Sequence, residues 1–191
     1  VKSVEEDIRL KVVSGISSLI TYCGDDPTRP GMLQTPDRIA KAYREMTVGY
    51  EQDPEEILST RFAAEYDEMV ILRGIAFSSL CEHHLLPFTG IAAIGYLPNA
   101  QVVGISKLAR LVDCYARRFQ IQENMTLQIA TAIMKYLKPK GVAVHIIATH
   151  QCMACRGANK PGAEMVTTCL LGAFRSDEKT RSEFLRLVPK E

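Results

Sequence analysis

The chain has 191 residues, 47% of them hydrophobic, and 23 lysines and arginines against 22 aspartates and glutamates. That length and apolar content suit one globular unit of ordinary size with at most a small appendage. No basic tail or stripe marks a nucleic-acid partner, and no apolar run reaches the roughly 20 residues needed to cross a bilayer. No secretory signal pattern is visible, and six unevenly clustered cysteines in a long chain do not fit a secreted disulfide framework. A reducing, cytoplasmic setting with metal-binding or buried free thiols is expected.

The N-terminal third reads as helical. Ser3 with Glu6 forms a capping box, and Val4, Ile8, Val12, Ile16, Leu19 and Ile20 follow at helical spacing until Gly24. Residues 25–32 hold two prolines and read as a loop. Thr35-Pro36 opens a second helix with Ile39, Ala40, Tyr43 and Met46 on one face, and Asp53-Pro54 starts a short third. From about Glu68 the pattern becomes strand-like. Residues 69–77 and 88–97 predict two strands joined through Cys81-Glu82-His83-His84. A helix then opens at Ser106 and a second covers 124–137. Strands follow over 142–150 and 164–174, with a last short helix near Ser176. The predicted class is α+β: a helical region over residues 1–60, then a β-β-α-α-β-β domain over 61–191. Cys23, Cys114 and Cys169 sit in apolar surroundings and read as buried packing residues.

The chemistry concentrates in two short strings. Three of the four histidines and three of the six cysteines lie in Cys81-Glu82-His83-His84 and His150-Gln151-Cys152-Met153-Ala154-Cys155. Thiolate and imidazole are preferred zinc ligands, and an imidazole not used as a ligand can move protons near neutral pH. Cys81 and His84, three apart, suit a turn that chelates one ion, and Cys152 is the natural third ligand. Three protein ligands leave a position open for a water nucleophile. The rival is a closed structural set of Cys81, His84, Cys152 and Cys155. Period-two alternation along the strand from Val142 places His150 and Cys152 on one face and Cys155 on the other, unless a turn intervenes. His83 and His150, flanking the ion, are candidates for proton transfer, and His145, on the opposite parity, reads as structural.

Ser106 lies at a helix N-terminus, where backbone N–H groups favour an anion, and Lys107 and Arg110 add charge in the first turn. Arg156 offers a further phosphate-binding fork. Arg38 and Lys41 on the second helix fit that role or a solvated face equally well. Gln122-Glu123, between two helices, reads by itself as a helix cap, although a carboxylate can also accept the paired N–H groups of a purine edge.

Together these strings, with Thr35-Pro36-Asp37-Arg38, Asp67-Glu68-Met69-Val70, Gln120-Ile121-Gln122-Glu123 and Arg156-Gly157, resemble the GTP cyclohydrolase I family over most of the chain. The resemblance implies a tunnelling fold, in which β-β-α-α-β-β units from several subunits close a β-barrel. It also implies a homodecamer with active sites between subunits. It implies zinc on Cys81, His84 and Cys152, and GTP as substrate, opened at C8 to give formate and 7,8-dihydroneopterin triphosphate. His150 would protonate N7, with His83 and Ser106 assisting later proton transfers. Gln122 and Glu123 would hold the guanine edge. Lys107, Arg110 and Arg156 would hold the triphosphate, with Arg38 and Lys41 reaching in from a neighbouring subunit. Whether a regulatory protein partner binds is not readable from the sequence. Two departures from the family pattern stand out: Cys155 replaces a non-cysteine residue, and Asn124 stands where an arginine is usual. Two alternatives remain open: a paralogue that stops after ring opening, and a non-catalytic, zinc-stabilised oligomer that binds nucleotide.

Overall fold

A computed structural model describes residues 4–188 and divides the chain into two compact units, Val1–Thr47 and Val48–Glu191. The capping box on Ser3 lies outside the described residues. In the first unit, α1 (Val4–Tyr22) packs against α2 (Thr35–Met46). Gly24, at φ +91°, ends the first helix as its spacing predicts. An ion pair from Arg9 to Asp37 at 2.6 Å ties the two helices together. Val4, Ile8, Val12 and Leu19 stay exposed, and so does Cys23, against the expectation that it packs in a core. It follows the last turn of α1, where the chain leaves the helix pair.

The second unit opens with a single 3-10 turn (Val48–Glu51) and α3 (Pro54–Ile57), capped by Asp53, whose side chain accepts from the Glu55 amide. Leu58, fully buried, joins the main core, so this segment belongs with the sheet domain. The strands β1 (Arg61–Ala63) and β4 (Gln101–Val103) make a small antiparallel pair. The main sheet contains β2 (Val70–Cys81), β3 (Pro87–Leu97), β5 (Phe119–Gln120), β6 (Gly141–His150) and β7 (Glu164–Gly172), in the order β5-β2-β3-β6-β7. The pairings are antiparallel except β2 with β5. Between β4 and β6 come α4 (Ile105–Ala116) and α5 (Gln122–Leu137), and β6 leads into α6 (Gln151–Ala154). After β7 the chain forms α7 (Ala173–Ser176) and α8 (Glu178–Leu187). The architecture is mixed α+β, as expected.

The period-two reading of β6 holds for its core face. Val142, Val144 and Ile146 are fully buried and Ala148 is 2% exposed. They pack with Met125, Ile129 and Ile133 of α5 and with Leu108, Leu111 and Val112 of α4 in one core. A smaller cluster of Ala93, Ala143, Phe174 and Phe184 lies on the other face, so β6 is buried on both sides for most of its length. His145 lies there too; its Nδ1 is 2.8 Å from Thr168 Oγ1, which agrees with a structural role.

Several boundaries move for physical reasons. β2 runs to Cys81, through a register shift between Leu72 and Ile75 where Gly74 at φ +73° absorbs the irregularity. β1, β4 and β5 are two or three residues long, too short to leave a periodic signal. α5 starts at Gln122, not Asn124. The strand predicted to reach 174 stops at Gly172, whose φ of +58° and ψ of −132° suit glycine, and Asp177 then caps α8 through the Thr180 amide.

A Cβ on Gly172 would also collide with the Lys140 carbonyl oxygen and approach Gly141 Cα to 2.9 Å. Strain and overlap act together, so Gly172→Ala should destabilise the domain by about 2–3 kcal/mol. A lowered denaturant midpoint with an unchanged slope checks this.

Candidate metal centre and active site

The β2–β3 connection is a tight turn whose hydrogen bonds position both of its metal-binding candidates. Cys81 N donates to Leu86 O and Leu85 N to Cys81 O, each at 2.8 Å. Leu85 takes φ +55°, which brings the chain back on itself so that β3 starts at Pro87. Glu82 N donates to Gln120 O at 3.0 Å and pins the turn to β5. Cys81 is buried at the end of β2, and His84 sits exposed on the turn.

The third candidate arrives differently from the sequence expectation. β6 ends at His150, and the short helix α6 carries Cys152 inward. The parity argument therefore does not reach Cys152 or Cys155, because helical geometry replaces the strand between them. The outcome for the ligands still agrees with the open set. Donor atoms of Cys81, His84 and Cys152 all lie within 4.8 Å of one another, and among the described residues this is the group able to hold a metal ion. Cys155, exposed at the C-cap of α6, is outside it.

The donor set fits a soft divalent cation. Two thiols and an imidazole converge at a half-buried point, and Cys81 Sγ lies 4.0 Å from His84 Nδ1. Burial, and then the neighbouring Cys81 thiol, raise the Cys152 thiol above its ordinary value. Two thiolates at this spacing repel, and a bound cation would reverse that penalty. His83 does not join the three-way group: its Nδ1 comes within 3.8 Å of Cys81 Sγ, and its Nε2 lies 3.7 Å from Glu82 Oε1.

His150, one residue before α6, is held on two sides. Its ring stacks on Phe88 with centroids 4.5 Å apart and planes 4° from parallel, following the cross-strand pairing of these two residues. Its Nε2 is 2.9 Å from Gln122 Oε1. Burial lowers the basicity of His150, and the Glu123 carboxylate works in the opposite direction.

Gln122 and Glu123 separate sharply. Gln122, the first residue of α5, is 1% exposed, and its Nε2 donates to Met165 O at 2.9 Å, Thr167 Oγ1 at 3.1 Å and Ile146 O at 3.2 Å. Its amide hydrogens are therefore used inside the protein. Glu123 is exposed in the first turn of the same helix, where the helix dipole favours its charge. Asn124 beside it is exposed too.

Ser106 is exposed in the first turn of α4 behind Gly104 as N-cap, and Lys107 is half-buried there. Arg110 lines a polar groove of about 530 Å³ with Glu51, Asp53, Glu56 and Asp113. Arg156 is exposed just after α6. Arg38 and Lys41 lie on α2 in the first unit, where Arg38 donates to Gln34 Oε1 at 2.8 Å. Sequence reasoning missed Phe88 as the ring support of His150. That role depends on strand register, which leaves no local signal.

Fold and site define a mixed α+β protein with a convergent two-thiol, one-imidazole donor set beside a second, supported imidazole. The family model for GTP cyclohydrolase I matches residues 12–189. The chain is 54% identical over 179 residues to GTP cyclohydrolase 1 of Alkalilimnicola ehrlichii, covering 93% of this chain and 97% of that one. It is 50% identical over 181 residues to GTP cyclohydrolase 1 of Wolinella succinogenes, covering 94% and 97%. Among solved structures, the apo form of an archaeosine synthase QueF-Like aligns with a TM-score of 0.46 and 18% identity, over 55% of this chain and 93% of its own, a likeness too slight to bear on function. The chain belongs to the GTP cyclohydrolase I family and is an enzyme of that type.

Removing a ligand and removing its neighbour should have opposite results. Cys155→Ser should keep the wild-type metal content, and Cys152→Ser should lose most of it on dialysis, as read by elemental mass spectrometry. Metal loss from Cys155→Ser would favour the closed four-ligand set.

Proposed function

We propose that the chain opens the guanine imidazole ring of GTP by zinc-dependent hydrolysis at C8, releases formate and closes the product to 7,8-dihydroneopterin triphosphate. The observation that carries this reading is the convergence of Cys81, His84 and Cys152 next to a histidine that is not a ligand. Sulfur and nitrogen donors in that number suit zinc, and Cys81, His84 and Cys152 would hold it. When bound, zinc supplies the Lewis acidity that makes water a nucleophile near neutral pH.

The chain's own residues do the rest. His150 gives a proton to N7 as water adds at C8, so negative charge does not build on the purine. Its lowered basicity makes it a readier donor once protonated. Ring opening leaves a formamide, and its hydrolysis yields formate. His83 on the exposed turn and Ser106 at the start of α4 assist the proton transfers in which the ribose carbons rearrange and the pterin ring closes. The Glu123 carboxylate accepts the two parallel N–H groups of the guanine edge, a pairing that charge assistance strengthens. Lys107, Arg110 and Arg156 hold the triphosphate, with Arg38 and Lys41 contributed by a neighbouring subunit. That sharing requires the tunnelling-fold assembly, a homodecameric barrel with active sites between subunits. The long elements of the sheet domain, β2-β3-α4-α5-β6-β7, follow the order of such a unit.

Incubation with GTP should yield formate and a fluorescent pterin in equal amounts. Formate alone would indicate a reaction that stops after ring opening, and nucleotide binding without either product a scaffold. His150→Ala should keep its zinc and lose formate release by about 10²–10⁴-fold, the usual range for a general acid. Undiminished release would remove His150 from the proton-donor role.

A further inference from the structure

Gln122 is adjacent in sequence to the proposed base-reading carboxylate, yet its side chain points into the protein. The hydrogen bonds around it admit one self-consistent direction. Two of the groups within reach of Nε2, Ile146 O and Met165 O, are backbone carbonyls and can only accept. This fixes which end of the amide is nitrogen, a choice that geometry alone often leaves ambiguous. Thr126 Oγ1 donates to Gln122 O at 2.7 Å, so in the 2.7 Å contact between Thr126 and Thr167 the donor is Thr167. Thr167 Oγ1 in turn accepts from Gln122 Nε2. The donors run in a closed circuit from Gln122 Nε2 through Thr167 and Thr126 to the Gln122 backbone carbonyl. Rotating the amide would break it and bring Oε1 against two carbonyl oxygens in a buried site.

With the amide fixed, Oε1 faces His150 Nε2 at 2.9 Å. An amide oxygen only accepts, so Nε2 must carry a hydrogen. We propose that Gln122 is a positioning residue that locks the neutral His150 ring in its Nε2–H tautomer and leaves Nδ1 as the nitrogen that exchanges protons with substrate. Phe88 fixes the plane of the ring and Gln122 fixes its rotation within that plane. The arrangement follows a general pattern, in which the hydrogen bond made by one ring nitrogen decides the task of the other. This inference rests on the reading of His150 as proton donor, but it can fail independently of it.

The first test needs no variant. With four histidines in the chain, ring-15N-histidine labelling gives few signals, and a His150→Gln sample identifies that of His150. Magic-angle-spinning NMR of the zinc-loaded protein should find His150 as the Nε2–H tautomer, and the Nδ1–H tautomer would overturn the proposal. Two variants then separate positioning from base reading. Gln122→Met removes the acceptor and should mix the tautomers and lower kcat more than tenfold, with KM for GTP changed less than about threefold. Gln122→Glu, protonated at a buried site, can still accept from Nε2–H and should keep the tautomer and much of the lost kcat. A raised KM at unchanged kcat would make Gln122 a base reader. Equal losses in both variants with the tautomer intact would reduce its role to folding. Either result overturns the proposal. If instead His150→Ala keeps full formate release, the proton-donor reading fails while the tautomer measurement still stands.

Discussion

The antiparallel register between β3 and β6 is the constraint on which the site depends. Phe88 pairs with His150, and Pro87 pairs with Leu80 on β2, so three strands reach the same edge in step. At that edge the β2–β3 turn presents Cys81 and His84, and the end of β6 presents His150 with Cys152 just beyond. A slip of one residue in β6 would turn His150 to the opposite face and carry the alternating Val142, Val144 and Ile146 out of the core. Burying those residues against α4 and α5 therefore fixes the chemistry at the far end of the strand. The core thus sets where the β2–β3 turn and the end of β6 meet, and α6 brings Cys152 to that point.

Electrostatics at the edge is arranged in two layers. Cys81 and Cys152 place two ionisable sulfurs close together, and burial disfavours charge on Cys152, a cost that falls when a cation is present. His150 is shielded by Phe88 and tied to Gln122, and Glu123 on the exposed side of the same helix turn bears on its basicity. One turn of α5 thus carries two side chains in opposite settings. Gln122 faces inward, where all of its amide contacts are internal, and Glu123 faces outward, exposed in the first turn.

Much of this was legible in the sequence where the signal is local. Cys81 and His84 lie within four residues, so any turn brings them together. The long helices and strands announce themselves by period, and Gly24 marks a helix end by its conformational freedom. What the sequence hid depends on distant partners. Cys152 was placed with Cys81 and His84 through a strand that in fact ends two residues earlier, so α6 and not alternation brings it there. Gln122 looked like a companion of Glu123 because nothing local reveals that β6 and β7 supply three acceptors for its amide. Cys23 has apolar neighbours in sequence but leaves α1 on the exposed side. Phe88 was read as one more strand residue, since its partnership with His150 exists only in the paired sheet.

The central claim is an open three-ligand centre made by the β2–β3 turn and α6. X-ray absorption at the zinc edge of the wild-type protein tests it most directly. The account predicts two sulfurs at about 2.3 Å together with one imidazole nitrogen and one further light atom at about 2.0–2.1 Å. Three sulfurs and one nitrogen would place Cys155 on the metal, close the site to water and contradict the account.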